Sequence, residues 1–261
     1  MELLIYQVDA FSSSVFSGNP AAVCPLESWL PAEAMQAIAA ENNLAETAFF
    51  VKSDDRYHLR WFTPAVEVDL CGHATLASAY IIYRFLDAAA DVIRFDTLSG
   101  ELVVTKEGER LSMDFPARPP EPVRPCPGLV QALGGAPKQV LASRDYLVVY
   151  ETEEEVHALT PDMNGLCPID RFAVIATAPS STPGVDFVSR FFAPSQGVPE
   201  DPVTGSAHCT LIPYWAERLG KTELVARQVS KRGGTLFCAL RGERVGIAGE
   251  AALYLRGSIE F

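Results

Sequence analysis

Positive charge is scarce in this sequence. Lys and Arg number 21 against 33 Asp and Glu, which gives a formal net charge of −12. Proteins that bind nucleic acids or anionic membranes do so through clustered Lys and Arg side chains. We therefore expect neither as a partner, and we expect a small molecule as the ligand.

Long apolar runs are also missing. No window approaches the ~18 uninterrupted apolar residues that a membrane-spanning helix needs. The opening stretch MELLIYQVDAF has neither the basic region nor the small-residue cleavage pattern of an export signal. These absences predict a cytoplasmic protein with no membrane association.

The cysteines show no paired spacing. Six of them are scattered without a CxxC pair, at positions 24, 71, 126, 167, 209 and 238. Disulfide frameworks and zinc sites have short, regular cysteine spacings instead. The scatter favours reduced, buried thiols that pack as small apolar side chains.

Several motifs of common enzyme classes are absent. The sequence contains no GxSxG elbow, no GxGxxG fingerprint and no GxxxxGK[ST] loop. A hydrolase triad and a nucleotide site therefore have no support. Nothing in the sequence requires a cofactor or a metal.

What the sequence does contain is a recurring segment. Residues 60–74 read RWFTPAVEVDLCGHA, and residues 190–207 read RFFAPSQGVPEDPVTGSA with three residues inserted. Each copy combines a strand-like run, a proline, an acidic residue and a small-residue turn before an apolar helix. Five positions are identical: Arg60 and Arg190, Phe62 and Phe192, Pro64 and Pro194, Gly72 and Gly205, Ala74 and Ala207. The recurrence predicts two similar halves.

A proline-rich segment separates the two copies. Residues 115–128, FPARPPEPVRPCPG, contain six prolines, a composition that neither a helix nor a central strand tolerates. We place the boundary there, with an N-terminal half at residues 1–117 and a C-terminal half at 118–261. A chain of 261 residues that is 48% hydrophobic can bury a core in each half.

The apolar runs after the two turn glycines predict buried helices at residues 74–84 and 207–219. Unpaired N–H groups at a helix start carry partial positive charge and bind anions. Two such starts that face each other would hold an anionic substrate, so we predict an active site in the cleft between the halves. The Ser-, Gly- and Pro-containing segment 11–23, by contrast, predicts a loop.

Polar residues lie beside the predicted helix starts and in one strand. Glu46 is part of the strand-like run LAETAFFV, where an unpaired acid would be costly. His73 follows the first turn glycine, and a helix start should lower its pKa and favour a neutral imidazole suited to a polarising or relay role. Asp201 and Ser206 flank the second turn.

Four motifs in order carry a family resemblance. They are VDAFSSSVFSGNPAAV, NNLAETAFF, LRWFTPAVEVDLCGHATLA and GVPEDPVTGSA, and together they extend over nearly the whole chain. With these motifs the sequence resembles the phenazine biosynthesis PhzF-like family, within the diaminopimelate-epimerase-like fold. The resemblance implies an α+β fold of two pseudo-symmetric halves, each a curved, mostly antiparallel sheet around a central helix.

The same resemblance implies the chemistry and the site. It implies a cofactor-independent isomerase that moves a proton on a small carboxylate-bearing substrate, of the trans-2,3-dihydro-3-hydroxyanthranilate isomerase type, with one Glu as acid and base. It also implies a homodimer. The implied catalytic residues are Glu46, His73, Asp201 and Ser206, and the implied substrate-binding residues are Gly72, Gly205 and Asn19.

Two alternatives stay open. A two-base amino-acid epimerase of this fold would place a cysteine before each turn glycine, but here the two positions hold Cys71 and Thr204. Because a threonine hydroxyl cannot act as a base near neutral pH, this alternative is disfavoured, and we expect the sulfur of Cys71 to be dispensable. The second alternative is a non-catalytic protein that binds a small anion. Such a protein would gain nothing from the carboxylate of Glu46.

Overall fold

The computed structural model describes residues 2–261 and divides the chain into two compact units. The first unit comprises the residues up to Asp114 together with Ala248–Phe261, and the second unit is Phe115–Ile247. The sequence-based division lay at 117/118, within the same proline-rich region. It differs from the structure in assigning the last strand to the second half.

Among its described residues, the first unit contains nine strands, including the last strand of the chain, and two helices. A single π-helical turn, Ile82–Leu86, continues the second helix. The elements are β1 (Glu2–Ala10), β2 (Asn19–Leu26), α1 (Ala32–Asn42), β3 (Glu46–Ser53), β4 (Arg56–Phe62), β5 (Glu67–Val68), α2 (Gly72–Ile81), β6 (Val92–Thr97), β7 (Gly100–Glu107) and β8 (Arg110–Pro116), whose last residues cross into the second unit.

The second unit repeats much of this order. A short 3-10 helix, Pro194–Gln196, precedes its short strand β14. The elements are β9 (Glu121–Pro122), α3 (Leu129–Leu133), β10 (Gln139–Ala142), β11 (Tyr146–Val149), α4 (Glu153–Ala158), α5 (Met163–Leu166), β12 (Val174–Pro179), β13 (Phe187–Ala193), β14 (Val198–Asp201), α6 (Gly205–Leu219), β15 (Glu223–Gln228), β16 (Gly234–Arg241) and β17 (Arg244–Gly249); the last strand of the chain is β18 (Ala251–Glu260).

Four strand pairings of the first unit recur in the second. In the first unit β2 and β3 are parallel, β4 is antiparallel to both β3 and β5, and β4 is parallel to β6. In the second unit β11 and β12, β13 and β12, β13 and β14, and β13 and β15 repeat these four relations in the same order. The predicted duplication is therefore present in the pairing pattern of each unit taken by itself.

The last strand completes the first unit. β18 runs antiparallel to β1 along its whole length, from Glu2 opposite Glu260 to Ala10 opposite Ala251, with a bulge at Gln7/Val8. In the second unit the equivalent neighbour of β10 is β9, which comes just before it in the chain. The first unit thus takes its outer strand from the far end of the sequence, which no local pattern could indicate.

Each unit has one deeply buried helix. In α2 every side chain from His73 to Ala79 is buried, and the helix packs on β1, β2 and β3. In α6 the buried residues extend from Ala207 to Ala216, and the helix packs on β15 and β16. Gly220 ends α6 in a left-handed conformation, at φ 66°. The prediction of two central helices is confirmed.

The shorter helices form additional cores. α1 buries Met35, Ile38 and Ala39 against Phe49 and Phe62 of the sheet. In the second unit α3, α4 and α5 bury the apolar side chains Leu133, Val156 and Leu166 against β11 and β12. These cores hold the strands from which the polar site residues project.

One predicted loop is partly wrong. Within segment 11–23, residues from Asn19 onward form β2, which pairs with both β1 and β3. Proline is tolerated at the start of a strand, and Ala21, Ala22 and Val23 are fully buried between the neighbouring strands. Tertiary burial therefore overrides the local turn signal.

Among residues 2–261, no helix is long and apolar enough to cross a membrane.

Candidate active site

A carboxylate and an imidazole meet in the first unit. Glu46 is the first residue of β3, and His73 is the second residue of α2. The Nε2 atom of His73 lies 3.0 Å from Oε2 of Glu46, and the two side chains are only 8% and 18% exposed. The contact is an ion pair when the imidazole is protonated.

The other edge of the imidazole meets two further polar groups. Nδ1 of His73 lies 3.2 Å from Nδ2 of Asn19 and 3.5 Å from Sγ of Cys71. Asn19 begins β2 and is completely buried, and Cys71 is the residue immediately before α2. Since β2 and β3 are adjacent parallel strands whose first residues lie beside the start of α2, the fold brings these side chains together around one histidine.

The pKa of His73 is raised, contrary to the sequence-based expectation. Burial lowers it, but Cys71 and Glu46 outweigh burial and raise the pKa well above its ordinary value: the neutral Cys71 thiol does so by accepting a hydrogen bond from Nδ1–H, and Glu46 does so by its charge. Burial and the charge of Glu46 also raise the pKa of the Cys71 thiol, which is therefore neutral near pH 7. We assign the charge that keeps His73 protonated to Glu46. A carboxylate at 3.0 Å dominates the partial charge of a helix start.

Asp201 lies at a tightly organised turn in the second unit. The Thr204 hydroxyl donates a short hydrogen bond to the Asp201 carboxylate. Gln228, which is completely buried, accepts from the Thr204 N–H at 2.8 Å and donates to the Asp201 carbonyl oxygen at 2.7 Å. Sequence reasoning missed Gln228, because nothing in the strand around it distinguishes a side chain that reaches 24 residues back along the chain.

The two helix starts have the same construction. Cys71 and Thr204 precede α2 and α6 in an extended conformation, and neither makes a side-chain cap. Four residues on, Thr75 and His208 each donate a side-chain hydrogen bond back to the carbonyl oxygen of that preceding residue. Because neither preceding side chain caps its helix, the first-turn N–H groups can bind an anion.

The structure gathers the seven predicted site residues into two groups. Asn19, Glu46, Gly72 and His73 lie together in the first unit, where Cys71 joins them. Asp201, Gly205 and Ser206 lie along one turn and helix start in the second unit, and Ser206 is partly exposed. That the two groups share one cleft stays a prediction.

Known proteins match this chain over nearly its whole length. A family model described as phenazine biosynthesis-like protein matches residues 8–257. An uncharacterized isomerase of Pseudomonas aeruginosa is 58% identical over 259 residues, which cover 99% of each chain. The crystal structure of a phenazine biosynthesis protein of the PhzF family from Enterococcus faecalis is 48% identical, with a TM-score of 0.97 and complete coverage of both chains.

A structure with much lower sequence identity gives information about the fold alone. A predicted epimerase from Pseudomonas aeruginosa is 19% identical, with a TM-score of 0.74, and covers 98% of this chain and 99% of its own. The similarity confirms the predicted α+β, epimerase-like architecture.

Proposed function

Because the chain belongs to the phenazine biosynthesis-like protein family, we propose that it is a cofactor-independent isomerase in which Glu46 moves a proton on a small carboxylate-bearing substrate. An isomerase role agrees with the name of its relative from Pseudomonas aeruginosa. A substrate of the trans-2,3-dihydro-3-hydroxyanthranilate type, a cytoplasmic location and a homodimeric state are parts of the same proposal.

The observation that carries the proposal is the contact between Glu46 and His73. A general base must be ionised and close to the substrate before it takes a proton. The imidazole of His73, 3.0 Å away, holds the Glu46 carboxylate in place, and the 18% exposure of the Glu46 side chain leaves room for it to meet a ligand. After taking the proton, the same carboxyl group can return it to a neighbouring carbon on the same face.

The arrangement supports one base rather than two. The residue before α6 is Thr204, whose hydroxyl already donates to Asp201. A hydroxyl in that state cannot remove a carbon-bound proton from the opposite face. This disfavours the two-base epimerase. The non-catalytic anion binder is disfavoured because it would gain nothing from the carboxylate of Glu46, whereas an enzyme needs an acid/base group.

The substrate carboxylate has a natural place at the start of α2. Its first-turn N–H groups lack a side-chain cap and begin next to His73. Binding there would orient the substrate against Glu46 without requiring an arginine. We assign the equivalent start of α6, with Asp201 and Ser206, to the remaining polar groups of the substrate.

The test measures proton transfer through the incorporation of deuterium. Candidate dihydro-hydroxyanthranilate acids are incubated with the protein in deuterated water, and deuterium in the recovered product is measured by mass spectrometry and NMR. We expect deuterium incorporation, and we expect Glu46→Gln to lower turnover by roughly two to four orders of magnitude while an anionic ligand still binds.

The matched control is Glu27→Gln, which removes an exposed carboxylate beyond the end of β2. It should retain wild-type turnover. Full activity in Glu46→Gln would refute the role of this residue.

A further inference from the structure

The cluster around His73 also has the composition of a metal site. One ligand atom each from Glu46, Cys71 and His73 lies within 4.8 Å of the other two. Over residues 2–261, no other three His, Cys, Asp or Glu side chains come this close. The sequence alone does not indicate these three ligands, because Glu46 lies 25 residues before Cys71 and no short ligand spacing is present.

The three atoms suit a thiophilic divalent cation. Zn²⁺ bonds to thiolate, imidazole and carboxylate at about 2.0–2.3 Å, which places neighbouring ligands of a tetrahedral ion about 3.3–3.8 Å apart. Here Sγ of Cys71 and Nδ1 of His73 are 3.5 Å apart, and Nε2 of His73 and Oε2 of Glu46 are 3.0 Å apart. One ion can take only one ring nitrogen, so the imidazole or the Glu46 side chain has to move for all three groups to bind the same ion.

We propose that Glu46, Cys71 and His73 bind one thiophilic divalent cation of the Zn²⁺ class, and that the bound ion inhibits the enzyme. On binding, the Cys71 thiol and the protonated His73 imidazole each lose one proton to solvent, and the thiolate, the freed imidazole nitrogen and one carboxylate oxygen become ligands. The ion then occupies the lone pair with which Glu46 would take the substrate proton. The inhibitory half of this inference rests on the proposed function; the binding half does not.

The ligand set also predicts which ions are rejected. Mg²⁺ and Ca²⁺ bind six or more oxygen atoms, and they disfavour sulfur. The cluster offers one carboxylate beside a thiol and an imidazole. Neither ion should therefore bind or inhibit at concentrations where Zn²⁺ does both.

Binding is tested without any substrate. The full chain, freed of metal, is titrated with Co²⁺ as a coloured substitute for Zn²⁺, and one equivalent should produce a thiolate-to-cobalt charge-transfer band that Zn²⁺ then abolishes. Cys71→Ser should remove the band. It should also weaken Zn²⁺ binding, measured by equilibrium dialysis, at least ~10-fold, because removing even a residue that only hydrogen-bonds to a metal ligand causes a loss of this size. Glu46→Gln should also weaken binding, and circular dichroism checks that both variants fold.

The matched control is Cys167→Ser, which removes an exposed thiol from the second unit and should change neither the band nor the affinity. A charge-transfer band that survives in Cys71→Ser, or disappears in Cys167→Ser, would overturn the assignment. So would the absence of stoichiometric binding.

Inhibition is measured separately in the deuterium assay, with Zn²⁺ and a chelator that restores activity. Activity that is unaffected by Zn²⁺ at full occupancy would overturn the inhibitory half. If the protein binds Co²⁺ through Cys71 but shows no proton transfer on any substrate, the proposed function fails and the metal site stands.

Discussion

At the scale of single residues, His73 lies at the centre of the proposed active site. It contacts Glu46 through one ring nitrogen, and it lies against Asn19 and Cys71 through the other. A histidine in this position responds to any change of charge in its neighbours, because burial removes the water that would screen them. Removing different neighbours should therefore lower activity by different amounts.

Replacing Cys71 by alanine should have a small effect on catalysis in the metal-free protein. The thiol is neutral near pH 7, since burial raises its pKa, so it supplies no charge to the Glu46 and His73 pair. We expect a loss of about tenfold or less in kcat/KM from altered packing. The measurement is steady-state kinetics on protein shown to be folded by circular dichroism.

Cys24→Ala provides the comparison, because it removes a fully buried thiol from the apolar core of the first unit without touching His73. If Cys71→Ala abolished turnover while Cys24→Ala did not, the single-carboxylate mechanism would be wrong. A mixed cysteine and carboxylate pair would then replace it.

His208 should make the stability of the protein depend on pH. Its Nδ1–H donates to the Thr204 carbonyl oxygen, and burial lowers its pKa from an ordinary 6.5 to about 4. Between these values the unfolded chain binds a proton that the folded protein excludes, so the free energy of unfolding falls as pH decreases through this window. The decrease due to this one group is roughly 3 kcal/mol.

Urea denaturation at a series of pH values measures this effect as the difference between the wild type and His208→Gln. His58→Gln, at an exposed histidine, serves as the control and should leave the pH profile unchanged. Parallel profiles for the wild type and His208→Gln would contradict the assignment.

At the scale of elements, each copy of the recurring segment is held by one arginine. Arg60 forms two hydrogen bonds with the carboxylate of Glu67 and lies over the ring of Phe62. Arg190 does the same with Glu200 and the ring of Phe192. The pair joins β4 to β5 and β13 to β14, so the short strand that leads into each buried helix has one defined path.

Arg190→Lys should destabilise the protein more than an equivalent change at the surface. Arg190 is 12% exposed, and besides Glu200 it donates to the carbonyl oxygens of Val156 and Leu159 at the end of α4. Lysine cannot reproduce this forked geometry, so we expect a loss of roughly 2 kcal/mol in the free energy of unfolding.

Arg56→Lys is the comparison, because Arg56 also pairs with carboxylates, those of Asp96 and Glu101, but is 41% exposed and, within residues 2–261, donates to no carbonyl oxygen through its side chain. It should cause a much smaller change in a urea titration. Equal losses in the two variants would show that the buried carbonyl contacts of Arg190 contribute nothing.

At the scale of the whole molecule, the chain order and the units do not coincide. The first unit needs β18, from the last residues of the sequence, to cover β1. Deleting residues 251–261 removes that entire strand. The exposed β1 would lose its pairing on one side, and the loss should be comparable with the whole stability of a domain, about 5–15 kcal/mol.

Hydrogen exchange with mass spectrometry locates this effect. Peptides from β1 and β2 should lose protection in the truncated protein, while peptides from β12 and β13 in the second unit keep more of theirs. Unchanged protection of β1 after the deletion would contradict the assignment of β18 to the first unit.

The parts that could be predicted from sequence are those that local patterns encode. The helices that begin at Gly72 and Gly205 follow from a turn glycine and an apolar run. The family resemblance supplied Glu46 and His73 as site residues, and their contact is consistent with that choice. β2 was missed in part because burial between two strands outweighs the turn propensity of its first residues.

By itself the sequence determined the two similar units, the buried helix of each and the family to which the chain belongs. These features depend on periodicity and motifs, which are properties of residues close together in the chain. Only the tertiary structure decided the charge state of His73, the place of Cys71 beside it, the support of Asp201 by Gln228 and the return of β18 to β1. Each of these depends on atoms that are distant in the chain or on burial that lowers the local dielectric. Electrostatic energy depends on those distances and on that burial, and neither is present in the order of the residues.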